Sequence, residues 1–573
     1  MTILAPPAFV NGRRMPNLWD GAAILCVLGV LVLVAHAAQG TLAPLPHPNA
    51  TPIHLDPRYL PFYALRTTMR MFAALFFSGL FTLTVAPLAA KSRRIGLILI
   101  PALDILQSVP ILGFLSFTVL FFMSLFPGRV LGAELAAIFA IFTSQAWNMA
   151  FSFYQSLTTV PRDLDEASRA FRLTTWQRFW RLEVPFAMPG LVFNTMLSMS
   201  GGWFFVVASE AVTVGNTTFL LPGIGSYVSV ALQQRNLLAV FYAILAMLAV
   251  ILIYDQLLFR PLVAWSAKFR FEMTSGGGVR DPWVLSLVRR THLLRVMGEA
   301  LGDFAARLGG LRLRVSVFAG LERRANPRVV DVLWFGFIGI LVALALWRIV
   351  AFVAGTITLS EFGHVVLLGA YTLARVAAAI VICTLVWVPI GVWIGLRPRW
   401  AQLIQPIAQF LAAFPANLLF PVIVIVIVRF ALNPNIWLTP LMILGTQWYI
   451  LFNVVAGASA FPTDLKEASA NLRVRGLLWW RRVIIPGIFP YYVTGALTAS
   501  GAAWNSSIVA EVASWGHTTL TATGLGAYIA EATTNGNGAG IMLGVCVMTG
   551  YVFLLNRVLW RPLHAYAVRR LTF

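Results

Sequence analysis

Chemistry needs convergent polar side chains, and this 573-residue chain offers few of them. The sequence has no nucleophile elbow, no H-E-x-x-H pair and no clustered carboxylates. A phosphate cradle of the form Gly-x-x-x-x-Gly-Lys-Ser/Thr is missing too, because the lysines, Lys91, Lys268 and Lys466, follow Ala90, Ala267 and Leu465. What remains are isolated ionisable residues in apolar surroundings, each a functional candidate because charge is costly in lipid. Arg70 and Arg375 suit either a bidentate clamp on an anion or snorkelling to lipid phosphates. Glu210 and Glu511 lie 21 residues beyond Pro189 and Pro490. That is about 30 Å of helix, so they fall near the outer face, to meet solute or to hold a loop. Trp203 and Trp504 adjoin the small residues Gly201-Gly202 and Gly501-Ala502-Ala503, as in a narrow lumen or a packing seam. Asn148, Gln107, Gln409 and Asn505 are weaker polar candidates for the same pathway. Cys26, Cys383 and Cys546 sit in apolar runs without C-x-x-C spacing and read as core thiols. His36, His47 and His54 fit no finger or helix-face spacing, so no metal site is expected.

The elements that position these residues follow from composition. The chain is 59% hydrophobic and 11% charged, with a mean hydropathy of +0.81. A water-soluble protein carries about 25% charged residues, so the surrounding solvent is lipid. The net charge of +21 comes in short clusters between apolar runs rather than on one continuous basic face, which excludes a nucleic-acid groove. Runs long enough to cross a bilayer fall at about 20–38, 62–90, 95–126, 131–156, 188–212 and 238–260, then 330–353, 366–396, 401–430, 437–458, 488–512 and 540–560. The first of these is expected to be a retained helix rather than a cleaved signal peptide, since no small-residue cleavage site precedes the Pro-rich stretch from Pro44 to Pro61. The basic linker between the sixth and seventh runs, from Lys268 to Arg328, marks the cytoplasmic side, whereas the loops 354–365 and 513–538 hold no Lys or Arg. Both termini are therefore expected inside. Ser275-Gly276-Gly277-Gly278 makes part of this linker flexible, and Trp283 to Leu313 has helical periodicity suited to the inner leaflet.

An internal repeat organises the whole chain. A shift of 301 residues lays Asp163-Leu164 on Asp464-Leu465, Glu166-Ala167-Ser168 on Glu467-Ala468-Ser469, Arg172 on Arg473, Pro185 on Pro486, Trp203 on Trp504 and Glu210 on Glu511. Gly223-x-Gly225-x-Tyr227 then falls on Gly524-x-Gly526-x-Tyr528, and Arg260-Pro261-Leu262 on Arg561-Pro562-Leu563. Upstream, a shift of 305 places Arg70 on Arg375, Pro101 on Pro406 and Pro110 on Pro415. Six crossings per half, an even number, give parallel repeats about an axis along the membrane normal. The expected architecture is an all-α integral membrane protein of about twelve transmembrane helices in two six-helix repeats. Residues 1–265 form the first, 266–328 a cytoplasmic linker, and 329–573 the second.

Between the fourth and fifth crossings of each half lies an unusual segment, Pro161 to Pro185 and Pro462 to Pro486. Proline followed by acidic residues suits a helix start, and Ala and Leu continue the turn. A basic aromatic stretch follows, Trp176 to Arg181 and Trp479 to Arg482, suited to lipid headgroups. The segment resembles the Glu-Ala-Ala loop of ABC importer permeases. The resemblance rests on Glu166-Ala167-Ser168 and Glu467-Ala468-Ser469, on the closing Pro185 and Pro486, and on its place in both copies. Arg172 and Arg473 stand where most of that family has glycine. Over most of its length the chain is similar to the fused, duplicated form of the nitrate/taurine/sulfonate-type branch, through Ser198 to Phe205, Leu221 to Tyr227 and Phe259 to Trp265, and through Gly501 to Asn505 and Gly524 to Glu531.

That resemblance implies the type I permease fold and an inner-membrane subunit with no catalytic site or cofactor of its own. Two ATP-binding cassette ATPase subunits would bind ATP and grip the two loops, and an external binding protein would deliver a small anion. The competing architecture is an ion-coupled secondary transporter of the major facilitator type, which also has two parallel six-span halves and a basic central linker.

Overall fold

In lipid every backbone N–H and C=O has to be satisfied within the protein, which leaves helices as the economical solution. Proline then decides where they break. The computed structural model describes residues 53–214, 217–269, 291–311, 327–355, 357–461, 463–515 and 518–571, with Gly29 and Val284. The first half runs α1 (Leu60–Lys91), α2 (Arg93–Ser108), α3 (Ile111–Leu125), α4 (Val130–Thr158), α5 (Arg162–Ala170), α6 (Thr175–Ser209), α7 (Ile224–Gln233) and α8 (Leu237–Ser266). A linker helix, α9 (His292–Gly310), follows. The second half comprises α10 (Pro327–Ala354), α11 (Leu359–Gly395), α12 (Pro398–Ala413), α13 (Phe420–Arg429), α14 (Pro434–Ser459), α15 (Thr463–Asn471), α16 (Gly476–Ala510), α17 (Leu525–Thr534) and α18 (Gly538–Ala567).

The repeat is a repeat of structure. From α5 up to the final helical stretch the boundaries recur 301 residues later: Arg162–Ala170 on Thr463–Asn471, Ile224–Gln233 on Leu525–Thr534. Even the π-helical turns recur, at Phe179–Glu183 and Asp255–Phe259 and again at Trp480–Ile484 and Asn556–Trp560. Within each half α1 packs on α4 and α4 on α6, as α11 packs on α14 and α14 on α16. Small residues permit the close approach: at Gly202 a side chain would collide with Met71 and Gln145 of the neighbouring helices.

Among the described residues eight helices are long and apolar enough to cross a membrane, nine if one bent pair is a single span, consistent with the expected duplicated all-α membrane architecture. The run 20–38, with Cys26, His36 and His47, lies outside the described residues apart from Gly29. The runs 95–126 and 401–430 are not single rods. They break at Pro110 and Pro415, the second with a bend of 79° between Ile407–Ala413 and Ala416–Arg429. Val109 and Phe414 are extended, as residues preceding proline prefer to be, and the proline lacks the N–H that would continue the helix.

The broken elements bind the halves together. Leu112 and Phe117 of α3 pack into the core of the second half. Ala413 and Leu418 pack into that of the first. The fold also carries two β-hairpins, β1 (Ala211–Val214) with β2 (Thr217–Leu220) and β3 (Val512–Trp515) with β4 (Thr518–Thr521). Both lie at the end of the bundle remote from α5 and α15. β1 touches α17 and β3 touches α7, so each hairpin reaches the opposite half.

Candidate functional site

At the basic end, α5 and α15 display their charged faces. Proline at position 161 fixes the entry to α5, and Asp163 and Asp165 occupy its first turn, where the helix dipole favours carboxylates. Glu166 and Ala167 are exposed, as are Glu467 and Ala468. Ser168 and Ser469 turn inward, each donating to the carbonyl three residues back, Asp165 O at 2.7 Å and Lys466 O at 2.8 Å. Pro462 lies outside the described residues. Arg172 and Arg473 settle what happens where glycine is usual. Both take φ of 51°, the left-handed conformation, so the tight helix end is kept with an arginine in it. Leu173 N donates to Ser168 O and Val474 N to Ser469 O, the reverse bonds of a Schellman ending. The residues just before, Phe171 and Leu472, are thereby thrust outward and are 79% and 77% exposed. Pro185 and Pro486 stand inside α6 and α16, just after the π-helical turns Phe179–Glu183 and Trp480–Ile484.

At the hairpin end, Glu210 and Glu511 each close a cage. Glu210 Oε1 accepts from Thr67 Oγ1 at 2.7 Å and Arg70 Nη1 at 2.6 Å, and Oε2 accepts from Gly225 N at 2.6 Å. Ile224 N donates to Thr67 Oγ1 at 3.0 Å. The carboxylate and hydroxyl thus cap the start of α7, a placement that the helix dipole rewards. In the second half Glu511 accepts from Thr372 at 2.8 Å, Arg375 at 2.9 Å and Gly526 N at 2.7 Å, while Leu525 N donates to Thr372 Oγ1. Gly223 and Gly524 follow from this: a Cβ at either would overlap the carboxylate.

Around this shared design the two cages differ. Arg70 also forks onto Glu134, at 2.5 and 2.7 Å, and Arg66 reaches the same carboxylate at 2.6 Å. The equivalent positions in the second half are Asn435 for Glu134 and Tyr371 for Arg66. Arg375 Nη2 donates to Asn435 Oδ1 at 3.1 Å and to Thr523 O at 3.0 Å. Among the described residues one cage pairs Arg66 and Arg70 with Glu134 and Glu210, and the other pairs Arg375 with Glu511.

This geometry corrects the reading of Arg70 and Arg375. They neither snorkel nor present a free clamp: they are 3% and 8% exposed, and carboxylates of their own halves occupy them. Glu210 and Glu511 hold loops. Trp203 and Trp504 are fully buried against Tyr254 and Tyr551, at ring separations of 5.5 and 5.9 Å, which is a packing seam. Asn505 ties the halves together, its Oδ1 accepting from Ile111 N at 2.7 Å. Asn148 donates to Ser198 at 2.9 Å, and Gln107 is exposed. Gln409 lines a cavity with Ser200, Tyr254, Asp255 and Phe452 of only about 20 Å³, room for one water. Sequence reasoning missed Thr67, Arg66, Glu134 and Asn435. The recurring Thr67-x-x-Arg70 and Thr372-x-x-Arg375 was the available signal. Among the described residues no group of His, Cys, Asp and Glu is placed to hold a metal.

Comparison with known proteins agrees with the duplicated architecture. The sequence profile described as "Binding-protein-dependent transport system inner membrane component" matches residues 78–260 and again 387–559. Over 190 residues the chain is 27% identical to the bicarbonate transport system permease protein CmpB of Synechococcus elongatus, covering 33% of this chain and 65% of that one. It is 26% identical to the nitrate import permease protein NrtB of Leptolyngbya laminosa, covering 33% and 64%. It is 28% identical over 172 residues to the glycine betaine/proline betaine transport system permease protein ProW of Escherichia coli, covering 27% and 44%. The matched region is therefore less than two thirds of each relative's length. The major facilitator reading is set aside by this match. With the profile recurring once in each half and together spanning more than half of its residues, the chain belongs to the family of binding-protein-dependent transport system inner membrane components.

Proposed function

We propose that the chain supplies a pair of membrane-spanning permease halves of an ATP-driven importer, fused into one polypeptide. The observation that carries this is the pair of surface helices α5 and α15, in register, with Glu166-Ala167 and Glu467-Ala468 exposed and both closed by a left-handed arginine. They serve as handles for two ATP-binding cassette ATPase subunits. ATP is bound and hydrolysed there, since this chain has no phosphate cradle of its own. Glu166, Ala167, Ser168, Arg172 and Pro185 shape the first handle, and Glu467, Ala468, Ser469, Arg473 and Pro486 the second. The basic end faces the cytoplasm, with both termini, and the chain resides in the inner membrane.

The hairpin end faces the external binding protein. Bicarbonate and nitrate in the names of two relatives support a small anion as solute. Closure of the ATPase pair rocks one half against the other. Glu166→Arg combined with Glu467→Arg tests the assignment. Co-purification of the ATPase after mild detergent extraction is expected to fall below a tenth of wild type while the protein still inserts. Undiminished recovery would refute the docking role.

A further inference from the structure

Although α5 and α15 share their exposed motif and the inward serine, the charged contacts beneath them differ. Under α5 a chain of ion pairs runs from the membrane body to the handle. Lys91, the last residue of α1, pairs with Glu183 at 2.8 Å, and its ammonium lies 5.0 Å from the centre of the Phe179 ring. Glu183, which is buried, pairs with Arg178 at 3.0 Å. Arg178 reaches Asp165 of α5 at 2.5 Å, and Asp165 holds Arg169 at 2.9 Å. The same positions in the second half are Leu396, Ile484, Trp479, Lys466 and Ala470, so no such chain can form there.

A second difference is the start of the stretch that follows each handle. Thr174 and Gln177 form a capping box, Gln177 N donating to Thr174 Oγ1 at 3.3 Å and Thr174 N to Gln177 Oε1 at 3.1 Å. Their counterparts are Arg475 and Leu478, and the turn there passes through Gly476 at φ of 62° with no side-chain cap. A third is the linker. Trp176 Nε1 donates to Leu308 O at 2.8 Å and Gln177 Nε2 to Gly310 O at 2.9 Å, strapping the end of α9 onto the first turn of α6, directly after the first handle. Leu477 and Leu478 occupy these positions in the second half and cannot donate; they are 84% and 56% exposed.

We propose that the two handles are mechanically unequal: the first is braced to the membrane body through Glu183 and strapped by the linker, and the second swivels on a soft hinge. Glu183 is the positioning residue, since it is the buried link between Lys91 of α1 and Arg178, which in turn holds Asp165 of α5. The motion imposed by an ATPase cycle is then taken up mainly by α15, while α5 moves with its half as one rigid piece. This consequence rests on α5 and α15 being the gripped helices; the bracing itself does not.

Hydrogen exchange of the full chain in lipid nanodiscs, without any ATPase, tests the bracing. Amides of 162–171 are expected to exchange at least about tenfold more slowly than those of 463–472. Glu183→Gln should remove most of that protection and leave 463–472 unchanged, and Glu183→Asp should retain much of it. Equal rates in the wild type, or an unaffected first handle in Glu183→Gln, would overturn the proposal. If Glu183→Gln loses protection throughout α1 and α4, it has failed to fold. Trp176→Phe then decides, because it cuts the Trp176–Leu308 strap bond and leaves both the capping box and the buried carboxylate in place: a several-fold acceleration supports the bracing, and no change refutes it. Loss of ATPase recovery in the Glu166→Arg, Glu467→Arg experiment bears on gripping, so the two ideas fail separately.

Discussion

Replacing Glu134 by Asn reproduces in the first cage the residue that the second cage already uses, yet it is expected to be strongly destabilising on its own. Arg66 would lose the Glu134 carboxylate and Arg70 would keep Glu210 alone of its two, in a site where the arginine side chains are 5% and 3% exposed. Removing one partner from a buried ion pair typically costs about 3–5 kcal/mol, because an uncompensated charge is left behind. Arg66→Tyr added to Glu134→Asn restores the balance in the form found at Tyr371 and Asn435, and buried pairs exchanged as a unit are often close to neutral. The double variant should therefore lie within about 1.5 kcal/mol of wild type, giving a coupling energy of about 2 kcal/mol or more. Denaturant unfolding of the four members of this cycle in nanodiscs measures it. Additive losses, with the double variant worse than Glu134→Asn, would refute the argument that charge balance inside the cage is what the structure maintains.

Glu511→Gln should destabilise more than Glu210→Gln, since among the described residues Arg375 keeps the neutral acceptors of Asn435 and Thr523 whereas Arg70 keeps Glu134; thermal unfolding of the two single variants compares them directly. Gly524→Ala places a methyl against the Glu511 carboxylate and should cost about 1–3 kcal/mol, with loss of uptake as the start of α17 shifts. Arg172→Gly and Arg473→Gly relieve a left-handed arginine and should each raise stability by about 0.5–1 kcal/mol while ATPase recovery is unchanged; a loss of stability would mean that the arginine side chains hold the turn.

How far the sequence foretold these features depended on whether the repeat exposed them. Glu166 and Glu467, Pro185 and Pro486, and Glu210 and Glu511 recur at one spacing, and the register carried through to the matching boundaries of α5 to α8 and α15 to α18. The partners of Arg70 were hidden because Glu134 and Glu210 lie 64 and 140 residues away, and because Glu134 has an uncharged counterpart at Asn435. An arginine in an apolar run looks like a ligand or a lipid anchor until tertiary packing supplies its carboxylate. The breaks at Pro110 and Pro415 were written in the chain, but hydropathy summed over a long run averages across them. The hairpins are four-residue strands, shorter than any periodicity test resolves. The asymmetry beneath the handles lay in differences between the halves, at Glu183 and Ile484 or Asp165 and Lys466, which a search for matches passes over.

The central claim is that this chain moves solute only with a separate ATP-hydrolysing partner engaged at α5 and α15. Reconstituted alone in sealed vesicles, the purified chain should leave labelled nitrate or bicarbonate unconcentrated under any imposed proton or sodium gradient, and accumulation should begin only when the ATPase subunits, the binding protein and ATP are supplied. Accumulation by the chain alone, driven by an ion gradient, would contradict it.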